Sequence, residues 1–296
     1  MLRVVFLLFF NIITFTGLVG QVKKYYSLEN NSNFDRVNIT LKATSNSCCI
    51  KPTVNPHLVN IFGFEKNSTP VISAETELLE RIQYLMIDLD NSDKNESTSF
   101  TKNFFKSSPE DENHWDLYLT REKPMRLLLN YAVGDARVDL SELPIERLKI
   151  TSGSAEVKVE YHEGKANIIE MDSFLVNVDL GSLTIKRINN AKAKTVIANV
   201  GFGALLMDYS DLLETSSHVY ASVGAGTLII GLPTDKKMPV IINIHNSPLC
   251  QVKIPKGYKK REKHVYVSEA YSENAENILS FDLDVTVGQI KFVDYN

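Results

Sequence analysis

The stretch Ser222–Pro233, SVGAGTLIIGLP, places two glycines in front of a run of strand-forming residues that ends at a proline. A glycine loop that cradles a dinucleotide needs three glycines and opens a helix after a strand. Here Leu228, Ile229 and Ile230 follow at once, and β-branched isoleucines favour a strand. The stretch therefore predicts a tight corner that leads into a β-strand, and it gives little support to a nucleotide site.

The same pattern recurs along the chain as a small residue, one spacer, a second small residue and then apolar residues at alternate positions. By subtraction, the second small residues lie 19, 26, 22, 23, 24 and 38 residues apart, and the last interval is close to two periods. A period of roughly 20 residues is too short for a βαβ unit and is typical of one turn of a β-solenoid. The second small residues are Ala136, Ala155, Gly181, Gly203, Gly226, Cys250 and Gly288, with Cys48 as an early candidate.

Alternation within the repeats favours strands with one buried face and one solvent face. Apolar and charged residues alternate in Val157–Tyr161 and in Gln251–Ile254. A small residue before each strand permits a tight corner where a larger side chain would collide with the next coil. We therefore predict an all-β solenoid of stacked coils. The alternative is a β-sandwich, which gives no reason for a pair of small residues in each repeat.

The segment Asn113–Tyr161, NHWDLYLTREKPMRLLLNYAVGDARVDLSELPIERLKITSGSAEVKVEY, carries a resemblance to a known family. A strand around Trp115 precedes Pro124, and a small-residue turn then leads into Val138–Leu143. From roughly Phe34 to Val293 the chain resembles the toastrack family of exported β-repeat domains, which is similar to the C-terminal region of LiaF-type cell-envelope proteins. The resemblance implies a right-handed β-solenoid in an envelope setting, with no catalytic residues to carry across. The membrane helices of LiaF itself are absent from this sequence, so a LiaF-like signalling role is not implied.

The first twenty residues differ in kind from the rest. Arg3 precedes an apolar stretch from Val4 to Leu18, and Gly20 then precedes Gln21. This arrangement resembles an export signal. We predict a signal peptide at 1–20, an N-terminal β region with a flexible acidic loop at 21–120, and a solenoid repeat region at 121–296 that is continuous with the preceding part. An uncleaved anchor is the alternative, because the stretch approaches the ~17–20 residues that a membrane helix needs.

The N-terminal β region is less regular than the repeat region. Val37–Leu41 and His57–Phe64 are expected strands, and Thr76–Asp90 is compatible with a helix or a strand. Asn91–Asn113, rich in Ser, Asn, Lys and acidic residues, is the expected flexible loop.

The composition limits the partners of the chain. The formal net charge of −4 gives no general attraction to nucleic acid, and the basic run Lys259–Lys263 is interpreted as a solvated loop. No second apolar run has membrane length, so we expect no membrane span in the mature chain. We expect export to the periplasm or the cell surface of a bacterium.

No catalytic, cofactor-binding or metal-binding residue is predicted. The acidic group Asp88, Asp90, Asp93 and Glu96 fails the calcium-loop pattern, because its fifth position is a serine and no glycine supplies the sharp turn. The histidines show no short ligand spacing, so zinc is not supported. They are His57, His114, His162, His218, His245 and His264.

The cysteines are expected to be free although the chain is predicted to be exported. Cys48 and Cys250 occupy the second small position and resemble small buried hydrophobic residues. Several coils would separate them, whereas a disulfide needs Cα atoms within roughly 7 Å. The side chain of Cys49 is expected to point to the opposite face of the strand from Cys48, so Cys49 is expected to be the most accessible thiol.

The fold and the composition together favour an exported, non-catalytic β-repeat protein that acts as an adhesin-like interaction module of the envelope or surface. Its binding surface would be the solvent face of the sheet, and its partner a protein or an envelope polysaccharide. The alternatives are a carbohydrate-active β-solenoid enzyme and an accessory regulator of an envelope-stress response. Two carboxylates, or a carboxylate and a base, in one groove would favour the enzyme, whereas scattered charge would favour the module.

We predict that the exported protein begins at Gln21, because the apolar stretch ends at Gly20. Sequencing of its N-terminus tests this directly. Recovery of Met1 on the exported protein would instead support a retained anchor.

Overall fold

The computed structural model describes residues 22–44, 47–65, 73–89, 114–233 and 237–295. The predicted signal peptide, the cleavage point at Gln21 and the loop Asn91–Asn113 lie outside these ranges. Among the described residues, no helix has the length and apolar character that a membrane crossing needs. One 3-10 turn, Ile188–Ala191, accompanies the strands. The strands are β1 Val22–Glu29, β2 Arg36–Ala43, β3 Ser47–Thr53, β4 His57–Glu65, β5 Ser73–Leu79, β6 Ile82–Asp88, β7 His114–Thr120, β8 Met125–Tyr131, β9 Asp135–Asp139, β10 Ile145–Ser152, β11 Glu156–Glu160, β12 Met171–Lys186, β13 Ala193–Asp208, β14 Ser217–Pro233, β15 Val240–Asn246, β16 Cys250–Lys253, β17 Lys259–Glu262, β18 Val265–Val267 and β19 Leu279–Tyr295.

Most strands pair in parallel with strands of neighbouring coils, so the chain forms a stack. Each coil has a first half and a second half, and in β12, β13, β14 and β19 one long strand runs through both. Along the stack, the first halves are β6, β2, β8, β10, β12, β13, β14, β19 and β15. The second halves are β7, β3, β9, β11, the C-terminal parts of β12, β13, β14 and β19, and β16. The predicted solenoid of stacked coils is confirmed, and the sandwich alternative is wrong.

Inward side chains of successive coils lie in register and form continuous buried rows. Each strand alternates buried and more exposed positions, as in β2 and β8. Full burial of one such aliphatic or aromatic side chain contributes about 1.5–3 kcal/mol. One row runs through every first half and consists of Leu85, Ile39, Leu127, Leu148, Phe174, Val196, Val219, Phe281 and Ile242.

The predicted corner is a column of small residues that pair across the coils. Gly181, Gly203, Gly226 and Gly288 are register partners in turn, and Cys250 pairs with Gly288. An added Cβ at Gly203, Gly226 or Gly288 would come under 3.0 Å from the carbonyl oxygen of the preceding glycine in the column. The corner is therefore closed by backbone packed on backbone, and the obstacle to a larger residue is the neighbouring main chain.

Two expected members of this column are misplaced. Ala136 pairs with Val157, which lies two residues after the corner residue Ala155. Cys48 pairs with Ala136, so Ala136 and Cys48 both lie two residues beyond the corner on their own strands. Gly134 takes the corner position instead, because Glu156, the residue after Ala155, pairs with Asp135. The alternation of apolar and polar residues in a strand is unchanged when it is shifted by two residues, so the sequence pattern alone does not fix the corner position.

The order of the coils departs from the order of the sequence at both ends. The β2–β3 coil is inserted between β6–β7 and β8–β9. The C-terminal strand β19 is inserted between β14 and the β15–β16 coil. After Cys250 the chain therefore returns into the stack, which accounts for the 38-residue interval to Gly288. In the spatial order of the coils, Cys250 lies one coil further from Gly226 than Gly288 does.

A cluster of charges ties the inserted N-terminal coil to its neighbours. A bulge in β10 falls at Glu146, between Ile145 and Arg147. The Glu146 carboxylate contacts Arg36 of β2 at 2.9 Å and Arg126 of β8 at 3.2 Å. One carboxylate thereby bridges three consecutive coils, and its side chain is only 18% exposed, which limits screening by water.

Antiparallel strands cover the exposed edges of the stack. β5 covers β6, while β4 and then β1 cover β7. At the other end, β18 and then β17 cover β15. The basic run at Lys259 forms the fully exposed edge strand β17 rather than a loop, and charge on an edge strand opposes further strand pairing.

The segment that was compatible with a helix or a strand forms the β5–β6 hairpin over its described part. Glu80 and Arg81 both have positive φ, as a two-residue type I′ turn requires. Leu85 and Ile87 are buried while Tyr84 and Met86 are exposed, which is the period of a strand. The expected strands Val37–Leu41 and His57–Phe64 are likewise present as β2 and β4.

The three cysteines are free thiols, as predicted. Cys48 is fully buried, whereas Cys49 and Cys250 are each 8% exposed, so the expectation that Cys49 stands out as accessible is wrong. Burial raises the pKa of all three thiols above the ordinary value. The thiols are therefore protonated at neutral pH and weakly nucleophilic in the folded chain.

We expect Gly226→Val to lower the free energy of unfolding by about 3 kcal/mol, the upper end for overpacking, because the new side chain meets the Gly203 backbone. Gly164→Ala is the control, since nothing lies within 4 Å of an added Cβ there. That control carries only the strain of its left-handed backbone, about 1 kcal/mol. Chemical denaturation measures both, and equal losses would contradict the corner assignment.

We also expect three thiols to react with a thiol reagent under denaturing, non-reducing conditions, and much slower reaction in the native protein. The reason is the burial that raises each thiol pKa. A single reactive group after denaturation would mean that a disulfide is present.

Candidate functional site: a groove across the inserted C-terminal strand

A shallow groove of ≈ 240 Å³ lies on the solvent face of the first-half strands, near the C-terminal end of the stack. Strands β14, β19 and β15 form its floor, and Val265 of β18 lies at its side. The residues that line it are His218, Val219, Tyr220, Ile241, Asn243, Val265, Ser280, Phe281 and Asp282. The groove gives the predicted binding face a concave region.

Strand register places an aromatic, a carboxylate and an amide side by side in this groove. Tyr220 pairs with Asp282, and Asp282 pairs with Asn243, so the three side chains point to the same face from adjacent strands. Neighbouring strands lie about 4.8 Å apart, which sets the spacing of this row. Tyr220 is 49% exposed, so much of its surface is available to a ligand.

His245 lies beside two polar groups of the groove and faces both with one ring nitrogen. His245 Nε2 lies 3.3 Å from Asp282 Oδ1, and Asn243 Nδ2 lies 3.0 Å from the same His245 nitrogen. A protonated Nε2 donates to Asp282, whereas an unprotonated Nε2 accepts from Asn243, so this nitrogen makes one of the two contacts at a time. The Asp282 carboxylate accepts hydrogen bonds, and the Asn243 amide can both donate and accept them. The row therefore offers both hydrogen-bond acceptors and donors to a polar ligand.

The floor of the groove is rigid because its inward side is packed with aromatic rings. Phe281, which precedes Asp282, is buried and packs edge-to-face on Tyr209 at 5.4 Å and on Phe292 at 6.4 Å between ring centroids. Burial raises the pKa of Tyr209 far above its ordinary value, so this tyrosine stays neutral. A ligand at the groove thus meets groups that are fixed by the core beneath them.

Three of the six histidines, none of which had a short ligand spacing in the sequence, lie beside aspartates. His162 lies 3.2 Å from Asp139, and His114 lies 3.2 Å from Asp116. Of the acidic group weighed for calcium, Asp88 is half-buried at the end of β6, and the other three residues lie outside the described ranges. Asp88 does not line the groove.

The groove residues were missed from the sequence because they come from three distant segments. Each segment alone shows only the alternation of a strand, as in HVYAS from His218 and INIHN from Ile242. Their proximity depends on the insertion of β19 between β14 and β15. The available signal was the placement of Tyr, Asn and Asp at solvent-facing positions of these strands.

Comparison with known proteins agrees with the fold. Residues 62–186 match the family model described as the N-terminal domain of toast_rack, DUF2154. The predicted resemblance to the toastrack family is thereby confirmed, and the matched region runs from β4 through β12. No curated protein sequence matches the chain.

Several solved structures are similar to the chain over most of its length. A "putative cell adhesion protein" from Clostridium sporogenes has 13% identity and a TM-score of 0.46, covering 93% of this chain and 100% of that one. A "putative adhesin" from Bacteroides fragilis has 12% identity and a TM-score of 0.38, covering 93% and 97%. A "putative lipid binding protein" from Parabacteroides distasonis has 9% identity and a TM-score of 0.34, covering 92% and 96%.

Proposed function

We propose that the chain is an exported, non-catalytic β-repeat protein that serves as an adhesin-like interaction module of the bacterial envelope or surface. The groove at Tyr220 is its binding surface, and a polysaccharide is the ligand that the groove fits best. The observation that carries this proposal is the row of Tyr220, Asp282 and Asn243 on adjacent rigid strands.

The chemistry of the row suits a sugar. A sugar ring has an apolar C–H face and a rim of hydroxyl groups, so it is bound by an exposed aromatic face together with groups that accept and donate hydrogen bonds. Tyr220 supplies the aromatic surface, and Asp282 and Asn243 supply polar atoms at fixed spacing. Asp284 follows Asp282 on the same solvent face, so the local carboxylates favour neutral or basic sugars over acidic ones.

The shape of the groove indicates weak binding at each site. Drug-sized ligands occupy pockets of about 300–1,000 Å³, and this groove of ≈ 240 Å³ is smaller than that range. A long polysaccharide compensates by presenting many equivalent sugars, and linked sites bind together more tightly than one alone. Weak, repeated contact of this kind fits a surface interaction module.

The carbohydrate-active enzyme is a second candidate, because the groove holds a carboxylate and a base. Asp282 lines the groove, and His245 Nε2 lies 3.3 Å from its carboxylate. A glycosidase needs two carboxyl groups on either side of the bond that it cleaves. Among the described residues that line the groove, Asp282 is the one carboxylate, and the interaction module therefore remains the favoured function.

We expect Tyr220→Ala to weaken binding of the full chain to envelope polysaccharide about tenfold, which corresponds to about 1.4 kcal/mol of lost stacking. The measurement is co-sedimentation with separated polysaccharide and protein fractions of bacterial envelopes. Tyr84→Ala is the matched control, because Tyr84 is also an exposed strand tyrosine but lies on β6 at the opposite end of the stack.

Equal binding by the two variants would overturn the proposed groove, and retention by the protein fraction alone would replace the polysaccharide with a protein partner. The enzyme candidate is tested separately by the release of reducing ends from the same polysaccharides. Release that is lost in Asp282→Asn would make the chain an enzyme.

A further inference from the structure

A cluster of metal-ligating side chains lies at the other end of the stack, on the solvent face of β3 and β7. Cys49 and Asp116 are register partners, and so are Ser47 and His114, which lie two residues earlier on the same strands and on the same face. One ligand atom from each of Cys49, His114 and Asp116 lies within 4.8 Å of the others. Three donors are thus gathered on two adjacent strands, where the sheet holds their backbones in place.

We propose that Cys49, His114 and Asp116 form a binding site for a divalent transition-metal ion, with zinc as the expected occupant. The sulfur and nitrogen donors select a borderline-soft ion and disfavour Ca²⁺ and Mg²⁺, which take oxygen ligands. Three protein donors leave a fourth tetrahedral position open to water or to a small ligand. The site is distinct from the groove at Tyr220 and does not depend on the function proposed for that groove.

The spacing of two donors already fits a tetrahedral ion. His114 Nε2 lies 3.2 Å from Asp116 Oδ1. Zinc bonds of about 2.0–2.1 Å to nitrogen and oxygen place two tetrahedral ligands about 3.3 Å apart. The ion would take the place of the proton between these two atoms. Cys49 Sγ needs to come within about 3.6 Å of them, given a Zn–S bond of about 2.3 Å, and rotation of its side chain supplies the remaining movement.

A hydroxyl group orients the histidine from behind. His114 Nδ1 lies 3.3 Å from Ser47 Oγ. With a metal on Nε2, the imidazole proton resides on Nδ1 and donates to this hydroxyl. Such a partner fixes the tautomer and the orientation of a ligating histidine, and its loss typically costs about 10–100-fold in metal affinity.

Two cations flank the site and set a limit to its affinity. Lys51 Nζ lies 3.6 Å from Asp116 Oδ1, and Arg137 is the register partner of Cys49 on β9. Both charges repel a bound cation, and Lys51 must move away from Asp116 when an ion binds. The low exposure of Cys49, 8%, and of the Asp116 side chain, 16%, strengthens the interaction of the donors with the ion in return.

The test uses the full chain, reduced and stripped of metal with a chelator, and titrated with Co²⁺ as a spectroscopic substitute and then with Zn²⁺. We expect one equivalent of Co²⁺ to bind with a thiolate-to-metal charge-transfer band, and Zn²⁺ to displace it. The band is lost in Cys49→Ser, and the affinity falls at least about tenfold in Ser47→Ala. Lys51→Met binds more tightly than the unchanged chain.

Cys250→Ser is the matched control, because Cys250 is equally exposed but lies at the far end of the stack. This variant keeps the charge-transfer band and the rise in melting temperature that Zn²⁺ produces. Absence of the band in the unchanged chain, or its survival in Cys49→Ser, would overturn the proposal. Thermal melts without metal show whether each variant is folded, so loss of the site is distinguished from loss of the fold.

Discussion

Close stacking of one backbone corner on the next is the constraint on which the rest of the molecule depends. At Gly203, Gly226 and Gly288 the space for a Cβ is already filled by the carbonyl of the adjacent coil. Parallel strands about 4.8 Å apart can turn together at these three positions only if the residue there carries no side chain. Once the corner is set, the register of both halves of each coil is set with it, and the inward rows of the core follow.

The same stacking produces rows on the outside of the molecule. The residues directly before the glycine column, Leu180, Phe202 and Val287, are each more than 40% exposed and belong to successive coils apart from the intervening Ala225. They cannot turn inward, because the inward space at the corner is occupied by main chain. Stacking places an exposed apolar residue of one coil beside the equivalent residue of the next. The apolar ridge along the corner is therefore a direct result of the corner geometry.

The sequence was sufficient to predict the repeat and its corner but not the order of the coils. The column is indicated in the sequence by four glycines that each stand directly before a stretch of alternating apolar residues. They are Gly181, Gly203, Gly226 and Gly288. Ala136 and Cys48 were assigned to the wrong frame, since a period-two pattern does not change when it is moved by two residues. The positions of β2 and β19 were not predictable in the same way. Any coil with the right inward rows can pair with any other, and the choice depends on long-range contacts such as that of Glu146 with Arg36.

Both candidate sites lie where the spatial order departs from the sequence order. In the middle of the stack, successive coils are also successive in sequence, and the solvent face carries rows such as the hydrogen-bonded pair Asn177 and Asn199. Insertion of β3 beside β7 brings Cys49 next to Asp116, and insertion of β19 brings Asp282 between Tyr220 and Asn243. An inserted coil adds side chains from a distant part of the chain while the corner and the inward rows stay unchanged. The two insertions therefore combine unlike groups on one rigid face, which is the condition that a specific binding site requires.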